Sequence, residues 1–377
     1  MPTYSVYLRP KTSFASSIGS DTLFGALCWA MRALRGVEEL EGMLKQFTTG
    51  SQADTLSLFA VSSAFPFLYY GRVKVRLYPK PLIPELTSEQ ITPLAKCEKQ
   101  RHSARYPFQG ATVTVVEKAK RVKSAAYVSE DLFTQIVRGE TNTRRLCERL
   151  VQRGSADDDI VSWGRALITH GERKSVEAEE LDAFEAEGDI QHNEIERVAL
   201  ATVEGRLFFM HEKFLHRQRA GLWFAIRAED LNFIKPLLRY LADTGIGGDR
   251  SAGKGHFDIP LNEIHQHSLP TADVPDCFIN LSRYIPGDGE CDFSRQPLAY
   301  ALATIRPKHE AKLAGVGHHT YKRLLRVFEP GSFFPYRKKK QVYGQIVHVG
   351  RSADAGGFEA YHSGLAIPVF AKMKGAI

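Results

Sequence analysis

The amino-acid sequence predicts an α+β protein, and three observations carry that prediction. Near the start, Tyr4, Val6 and Leu8 alternate with Ser5, Tyr7 and Arg9, the period of two that buries one face of a strand. Leu23, Leu27, Met31 and Leu34 then recur at helical spacing. The same succession returns past Gly205, where RLFFMHEKF and then Leu222, Phe224 and Ile226 read as paired strands, followed by Leu231, Ile234, Leu238 and Leu241 as a helix.

Each element follows in order. Ser20 or Asp21 can cap the first helix, and Gly36 stops it. A polar helical stretch runs to about Phe59, Ala64 to Tyr70 reads as a second strand, and the prolines of RLYPKPLIPEL then break regular structure. From Lys96 to Lys123 the chain is strongly basic, with Lys96, Lys99, Arg101, Arg105, Lys118, Lys120, Arg121 and Lys123 set around Tyr106 and Phe108. Two readings of this segment stand side by side: a solvated loop or hairpin face, or a nucleic-acid contact in which rings stack on bases among the cations. Between Gly154 and Asp189 the sign reverses. Asp157, Asp158 and Asp159, then EAEELDAFEAEGD, read as an exposed, partly helical insertion, because consecutive carboxylates in a polar loop are solvated far more often than they bind a divalent ion. In the later helix, Pro236 should introduce a kink or leave one amide bond unmade. A Gly-rich run follows, and Phe257 and Ile259 begin a short strand ended by Pro260.

Strand, helix, strand, insertion, strand, helix, Gly-rich loop and strand is the order of a ferredoxin-like, or RRM-like, βαββαβ unit. The first domain is therefore residues 1–260, with basic and acidic segments inserted from about 85 to 190. Residues 261–377 carry further strand-like pieces, CFINLSRYI, VYGQIVHVG and LAIPVFAK, with a helical candidate around Thr320 to Phe328. They predict a second, less regular ferredoxin-like domain.

Composition narrows the function classes. A chain of 377 residues that is 43% hydrophobic and 25% charged can bury a core without staples. Lys and Arg outnumber Asp and Glu by 50 to 43, so an anionic partner fits better than a cationic one. The cysteines (Cys28, Cys97, Cys147, Cys277 and Cys291) are scattered and form no CxxC pair, which argues against a disulfide framework or a zinc cluster and for a reducing cytoplasm. MPTYSVYLRP lacks the layout of a signal peptide, and no apolar run approaches the roughly 20 residues of a membrane span, so no membrane partner is expected.

The most informative stretch is GIGGDRSAGKGHF, Gly245 to Phe257, with five glycines and two cations in thirteen residues. Glycines let the backbone take positive φ and turn its amides toward phosphate oxygens, and Arg250 and Lys254 add charge. GDRSAGK also fits the GxxxxGK part of a P-loop. Against that reading, Gly255 stands where a P-loop needs a Ser or Thr hydroxyl for magnesium, and the loop leads from helix to strand, the reverse of the order that aims a helix dipole at phosphates. GxGxxG fails because its last position is Arg250. No cofactor and no metal site is expected.

A Gly-rich loop between the last helix and last strand of a ferredoxin-like unit resembles that of the RAMP proteins of CRISPR systems, and its form here is similar to that of the family of fourth subunits of type III-A Csm complexes. LRPKTSF with GSDTLFGALCWA, HNEIERVALATVEGRLFFMHEKF, and the ending EPGSFFP with YGQIVHV and HSGLAIPV are similar to the same family. Gly19 departs from its pattern where a histidine is expected, and Glu194 where a basic residue is.

The resemblance implies a non-catalytic RNA-binding subunit of an antiviral ribonucleoprotein. It would hold the repeat-derived 5′ handle of the crRNA beside the large polymerase-like subunit and the first backbone RAMP subunit, and those neighbours would carry the chemistry. On this reading the amides of Gly247, Gly248 and Gly253 follow the phosphates, Arg250 and Lys254 neutralise charge, Ser251 offers a hydroxyl, and Asp249 accepts from a base or ribose or orients Arg250. Ser20 joins the same surface at the first helix's N-terminus or serves only as its cap. Arg197, Arg101, Arg105, Lys120, Arg121 and Lys123 are further RNA candidates, the basic segment as a hairpin wedged between bases. The alternatives are a metal-independent endoribonuclease using His256, or His318 and His319 with Tyr321 and Lys322, an equivalent subunit of a type III-B or III-D complex, and a scaffold that touches only protein.

Overall fold

The computed structural model describes residues 1–15, 17–48, 59–101, 108–150, 160–177, 183–196, 201–308, 322–351 and 359–373. It is a mixed α+β structure. Strand β1 (Thr3–Pro10) buries Val6 and Leu8 completely, but Ser5 and Tyr7 on the other face are buried as well, so the strand is covered on both faces and not on one as its alternation predicts. Helix α1 (Ser20–Arg35) ends at Gly36, whose φ of +97° lets its amide donate to the Arg32 carbonyl at 3.1 Å. Its N-cap is Gly19 and carries no side-chain capping bond. The expected cap by Ser20 or Asp21 is therefore corrected: both are helical, and Arg283 engages both side chains.

Helix α2 (Val37–Thr48) leads to β2 (Phe59–Val61), β3 (Phe65–Tyr70) and β4 (Val73–Pro79). β2 is too short to show a period. β4 runs through the first proline of RLYPKPLIPEL, since Pro79 takes the last strand position, so regular structure breaks later than expected.

The basic segment forms α3 (Ser88–Arg101) and α4 (Phe108–Ser124), two helices packed together, in place of the expected loop or hairpin. Ala111, Val115 and Val122 are buried at helical spacing on α4, a stripe that the intervening cations obscure in the sequence. β5 (Tyr127–Ser129), α5 (Glu130–Val137), α6 (Thr143–Arg149), β6 (Ile160–Trp163), β7 (Ala166–Thr169) and α7 (His170–Ser175) follow. Part of the acidic stretch is thus no exposed insertion, because β6 and β7 join the main sheet and bury Ile160, Leu167 and Ile168. Asp157, Asp158 and Asp159 lie outside the described residues.

β8 (Glu185–Glu196) and β9 (Ala201–Leu215) form a long antiparallel hairpin of their own. RLFFMHEKF therefore pairs backwards with β8, not forwards with β10 (Ala220–Ala228) as expected. Helix α8 (Leu231–Thr244) continues through Pro236 and is capped by Asp230, whose carboxylate accepts from the Asn232 amide at 2.8 Å. β11 (Phe257–Asp258) closes this half.

The main sheet runs β11–β1–β10–β3–β4–β5–β7–β6, antiparallel except between β5 and β7, with β2 beside β10. Helices α1 and α8 pack on each other. Past residue 261, the strands Cys277–Asn280, Phe333–Phe334 and Pro368–Ala371 make a three-stranded sheet with Cys277–Asn280 in the middle. The helix expected around Thr320 to Phe328 is instead a strand at Leu325–Phe328, paired with Leu302–Ile305, and residues 320 and 321 lie outside the described set. A single apolar cluster joins Val6, Leu23, Trp223 and Phe257 to Cys277, Ile279, Phe333 and Val369, so both halves share one core.

Candidate nucleic-acid interface

Helix α8 stops at Gly245, φ +81°, and the chain turns through Gly247 at φ +95°, Asp249 at φ +57° and a short 3₁₀ turn, Arg250–Ala252, before Gly253 and Gly255 at φ +81° and +67°. Asp249 is one of the non-glycine residues held in the left-handed region, a conformation that side chains rarely accept. The neck of the loop is closed by Ile246 N donating to the Gly255 carbonyl at 2.8 Å. Gly255 N in turn donates to the Ser13 carbonyl at 2.8 Å, tying the loop to the segment between β1 and α1.

Inside this frame the predicted contacts divide. No hydrogen bond runs from the amides of Gly247 or Gly248 to another described residue. Gly253 N, by contrast, donates to the Arg250 carbonyl at 3.0 Å, and Lys254 N to the Asp249 carbonyl at 3.2 Å. Gly248, Asp249 and Ser251 are exposed and Arg250 is half-buried.

The Lys254 ammonium is already engaged. It donates to Glu212 Oε2 at 2.8 Å and to Ser13 Oγ at 3.2 Å. Glu212, on β9, is only 1% exposed and also accepts from Ser13 Oγ at 2.5 Å, while His192 Nε2 on β8 lies 3.2 Å from its other oxygen. Burial pushes the Glu212 carboxyl up, and hydrogen bonds from Lys254, Ser13 and His192 outweigh that and hold it below the usual carboxylate range. This carboxylate is the residue sequence reasoning missed. Ser13, His192 and Glu212 all stand in segments singled out above, but only the folded chain brings them together.

Comparison with known proteins agrees with this architecture. No protein-family model matches the chain. A curated protein of Thermococcus onnurineus (strain NA1), CRISPR system Cms protein Csm4, is 27% identical over 271 residues, 70% of each chain. The chain is thus similar to Csm4 in sequence over most of its length. Its fold matches a crystal structure of a Csm3-Csm4 subcomplex of the type III-A CRISPR-Cas interference complex with a TM-score of 0.59 at 15% identity, covering 99% of this chain and 100% of that one. A Csm1-Csm4 cassette in complex with cA4 gives a TM-score of 0.53 at 17% identity, covering 99% and 98%.

The remaining predicted residues that the structure describes are not gathered at the loop. Ser20 is 2% exposed, its hydroxyl accepting from Arg283 N at 2.8 Å and its amide donating to Ser63 Oγ at 3.1 Å. Its expected place on the loop's surface is corrected, because the side chain is spent in joining α1 to the chain past residue 261. Lys120, Arg121 and Lys123 are exposed on α4, with Lys123 paired to Glu85 at 2.9 Å. α4 leads into β5, and four strands separate β5 from β11, roughly 24 Å across a sheet. Arg101 ends α3, while Arg105 and Arg197 lie outside the described residues.

Of the histidines weighed for nuclease chemistry, His256 is half-buried with its amide on Thr12 Oγ1 at 3.1 Å, and His318 and His319 lie outside the described residues. Among the described residues, no cluster of three or more His, Cys, Asp or Glu side chains is placed to hold a metal ion, and no helix is long and apolar enough to cross a membrane.

Proposed function

We propose that this chain grips the repeat-derived 5′ handle of the crRNA as a non-catalytic subunit of a type III-A CRISPR effector complex serving antiviral defence. The observation that carries the reading is the loop between α8 and β11, where the amides of Gly247 and Gly248 lack an acceptor among the described residues beside the side chains of Arg250 and Ser251. Such a nest of amides suits phosphate oxygens, and a single-stranded handle is held by its backbone and splayed bases rather than by a groove. The net charge of +7 favours the same class of ligand.

Its partners on this reading are a large polymerase-like subunit and a backbone RAMP subunit. The Csm1-Csm4 and Csm3-Csm4 assemblies of its structural neighbours support them. We further read residues 1–260 as a ferredoxin-like RAMP domain, supported by the order β11–β1–β10–β3 with α1 following the first strand and α8 the third. We read residues 261–377 as a second, less regular ferredoxin-like domain whose core is continuous with that of the first. The exposed cations of α4, Lys120, Arg121 and Lys123, with Arg101, Arg105 and Arg197, extend the contact along the RNA.

Fluorescence anisotropy with the full chain and a labelled single-stranded RNA ending in the CRISPR repeat tests this. Affinity should fall linearly on a log–log salt plot, by about 0.7 per neutralised phosphate. Arg250→Ala should weaken binding by about 1.5–3 kcal/mol, the range for a hydrogen bond to a charged group. Absence of binding at low salt would sink the reading.

A further inference from the structure

We propose that Lys254 is a positioning residue of the guide-binding loop and not one of its phosphate ligands: paired with Glu212, it clasps the loop to the β8–β9 hairpin. The inference rests on the loop's reading as the RNA site and refines which of its groups do the binding.

Four segments converge on one carboxylate. Lys254 comes from the Gly-rich loop, Ser13 from the connection between β1 and α1, His192 from β8 and Glu212 itself from β9. The two arms of the hairpin are in register there, and Phe14 and Lys213 exchange backbone hydrogen bonds at 3.2 and 2.9 Å beside them. The base of the hairpin, the β1–α1 connection and the neck of the loop are thereby one bonded unit.

The energetics favour keeping Lys254 where it is. Glu212 is 1% exposed, so it has given up its hydration and depends on its donors, whereas the Lys254 side chain is 22% exposed. Moving the ammonium to a solvent-facing phosphate would exchange a buried ion pair for a screened one, and a buried carboxylate left short of a cation loses more than an exposed contact returns. The pair is also neutral as a unit, so it adds no net charge for RNA to neutralise. What it adds is order: with the neck held by Ile246, Gly255 and Ser13, the amides of Gly247 and Gly248 are presented in place before RNA arrives.

Three chains distinguish the roles: wild type, Lys254→Met, and Lys254→Met combined with Glu212→Gln, which removes both charges and keeps both shapes. Each is titrated as the full chain with the repeat-ending RNA across a salt series, with thermal melting as the folding control. The single variant should bind at least about tenfold more weakly at every salt, because the Glu212 carboxylate, left buried without its cation, pushes the neck of the loop out of place. The double variant should recover most of that affinity, and both should keep the wild-type salt slope. A double variant whose slope is shallower by about 0.7 would mean that Lys254 touches a phosphate, and overturns the clasp while leaving the RNA site intact. Should the single variant fail to fold, the slope of the double variant decides alone. A wild type that binds no RNA overturns the site and the clasp together.

Discussion

Gly255 shows what a single position in the loop is for. Its φ is +67°, and a Cβ there would stand 2.2 Å from the Ile246 carbonyl oxygen that lies across the neck. Gly255→Ala should therefore cost at least about 2 kcal/mol, the left-handed penalty plus a backbone clash, read as a lower urea midpoint at unchanged m-value. Gly247, at φ +95°, has nothing within 4 Å of the same construction, so Gly247→Ala should cost only backbone strain and affect RNA more than the fold. Glycine richness was legible in the sequence. Which glycine closes the neck and which offers its amide was not, because that depends on the carbonyl opposite. Lys254 shows the same limit: its charge is written in the chain, but its partner is 42 residues away on another strand.

Among the elements, the β8–β9 hairpin is the one least visible beforehand. Its first arm opens with acidic residues that read as a solvated insertion, and its second arm was assigned to the neighbouring strand, since adjacent strands usually pair. Leu207, Phe208 and Phe209 on β9 are 52%, 48% and 64% exposed, and the Phe208 ring stacks on His192 with centroids 5.4 Å apart. Because Phe209 contributes little to the core, Phe209→Ser should shift unfolding by no more than about 0.5 kcal/mol in a denaturant titration. A larger loss would mean that the hairpin folds back on the body of the protein. The basic helices α3 and α4 were missed for a related reason. Their buried stripe is narrow, and Val113, Val115 and Val116 favour strands as readily as helices when charges dominate the window.

Taken as a whole, the molecule is held across its middle. Ser282 Oγ donates to the Val61 carbonyl at 3.0 Å and accepts from Ile367 N at 3.1 Å, and Arg283 pairs with Asp21 at 3.2 Å, so the chain past residue 261 is stitched to β2 and α1. His267 lies at such a seam, its Nε2 3.0 Å from the Tyr78 hydroxyl and its side chain 13% exposed. Burial, then the Arg76 charge, push its pKa down to about 4. An unfolded histidine takes up a proton near pH 6.5, roughly, so between that pH and about 4 the unfolded chain binds more protons. The stability contributed by the neutral ring is complete above pH 6.5, about the unfolded value, and declines as pH falls toward the folded one. His362 is shifted the same way by burial, against the pull of Asp21. Stability should fall from pH 7 to 5, by up to about 2 kcal/mol for His267 alone, read as a lower melting temperature, and His267→Gln should flatten the profile. A profile already flat in the wild type would contradict the burial of these rings.

The α+β class, the strand and helix on either side of the Gly-rich loop, the helix-to-strand direction that rules against a P-loop, and the resemblance to Csm4 were all readable along the chain, because these rest on local periodicity, glycine content and short motifs. That β8 pairs with β9, that Ser20 is buried and bonded to the Arg283 amide, and that Lys254 pairs with Glu212 emerged with the folded chain. Pairing register and buried ion pairs join residues far apart along the chain, and their energy comes from excluding water, which no local pattern records.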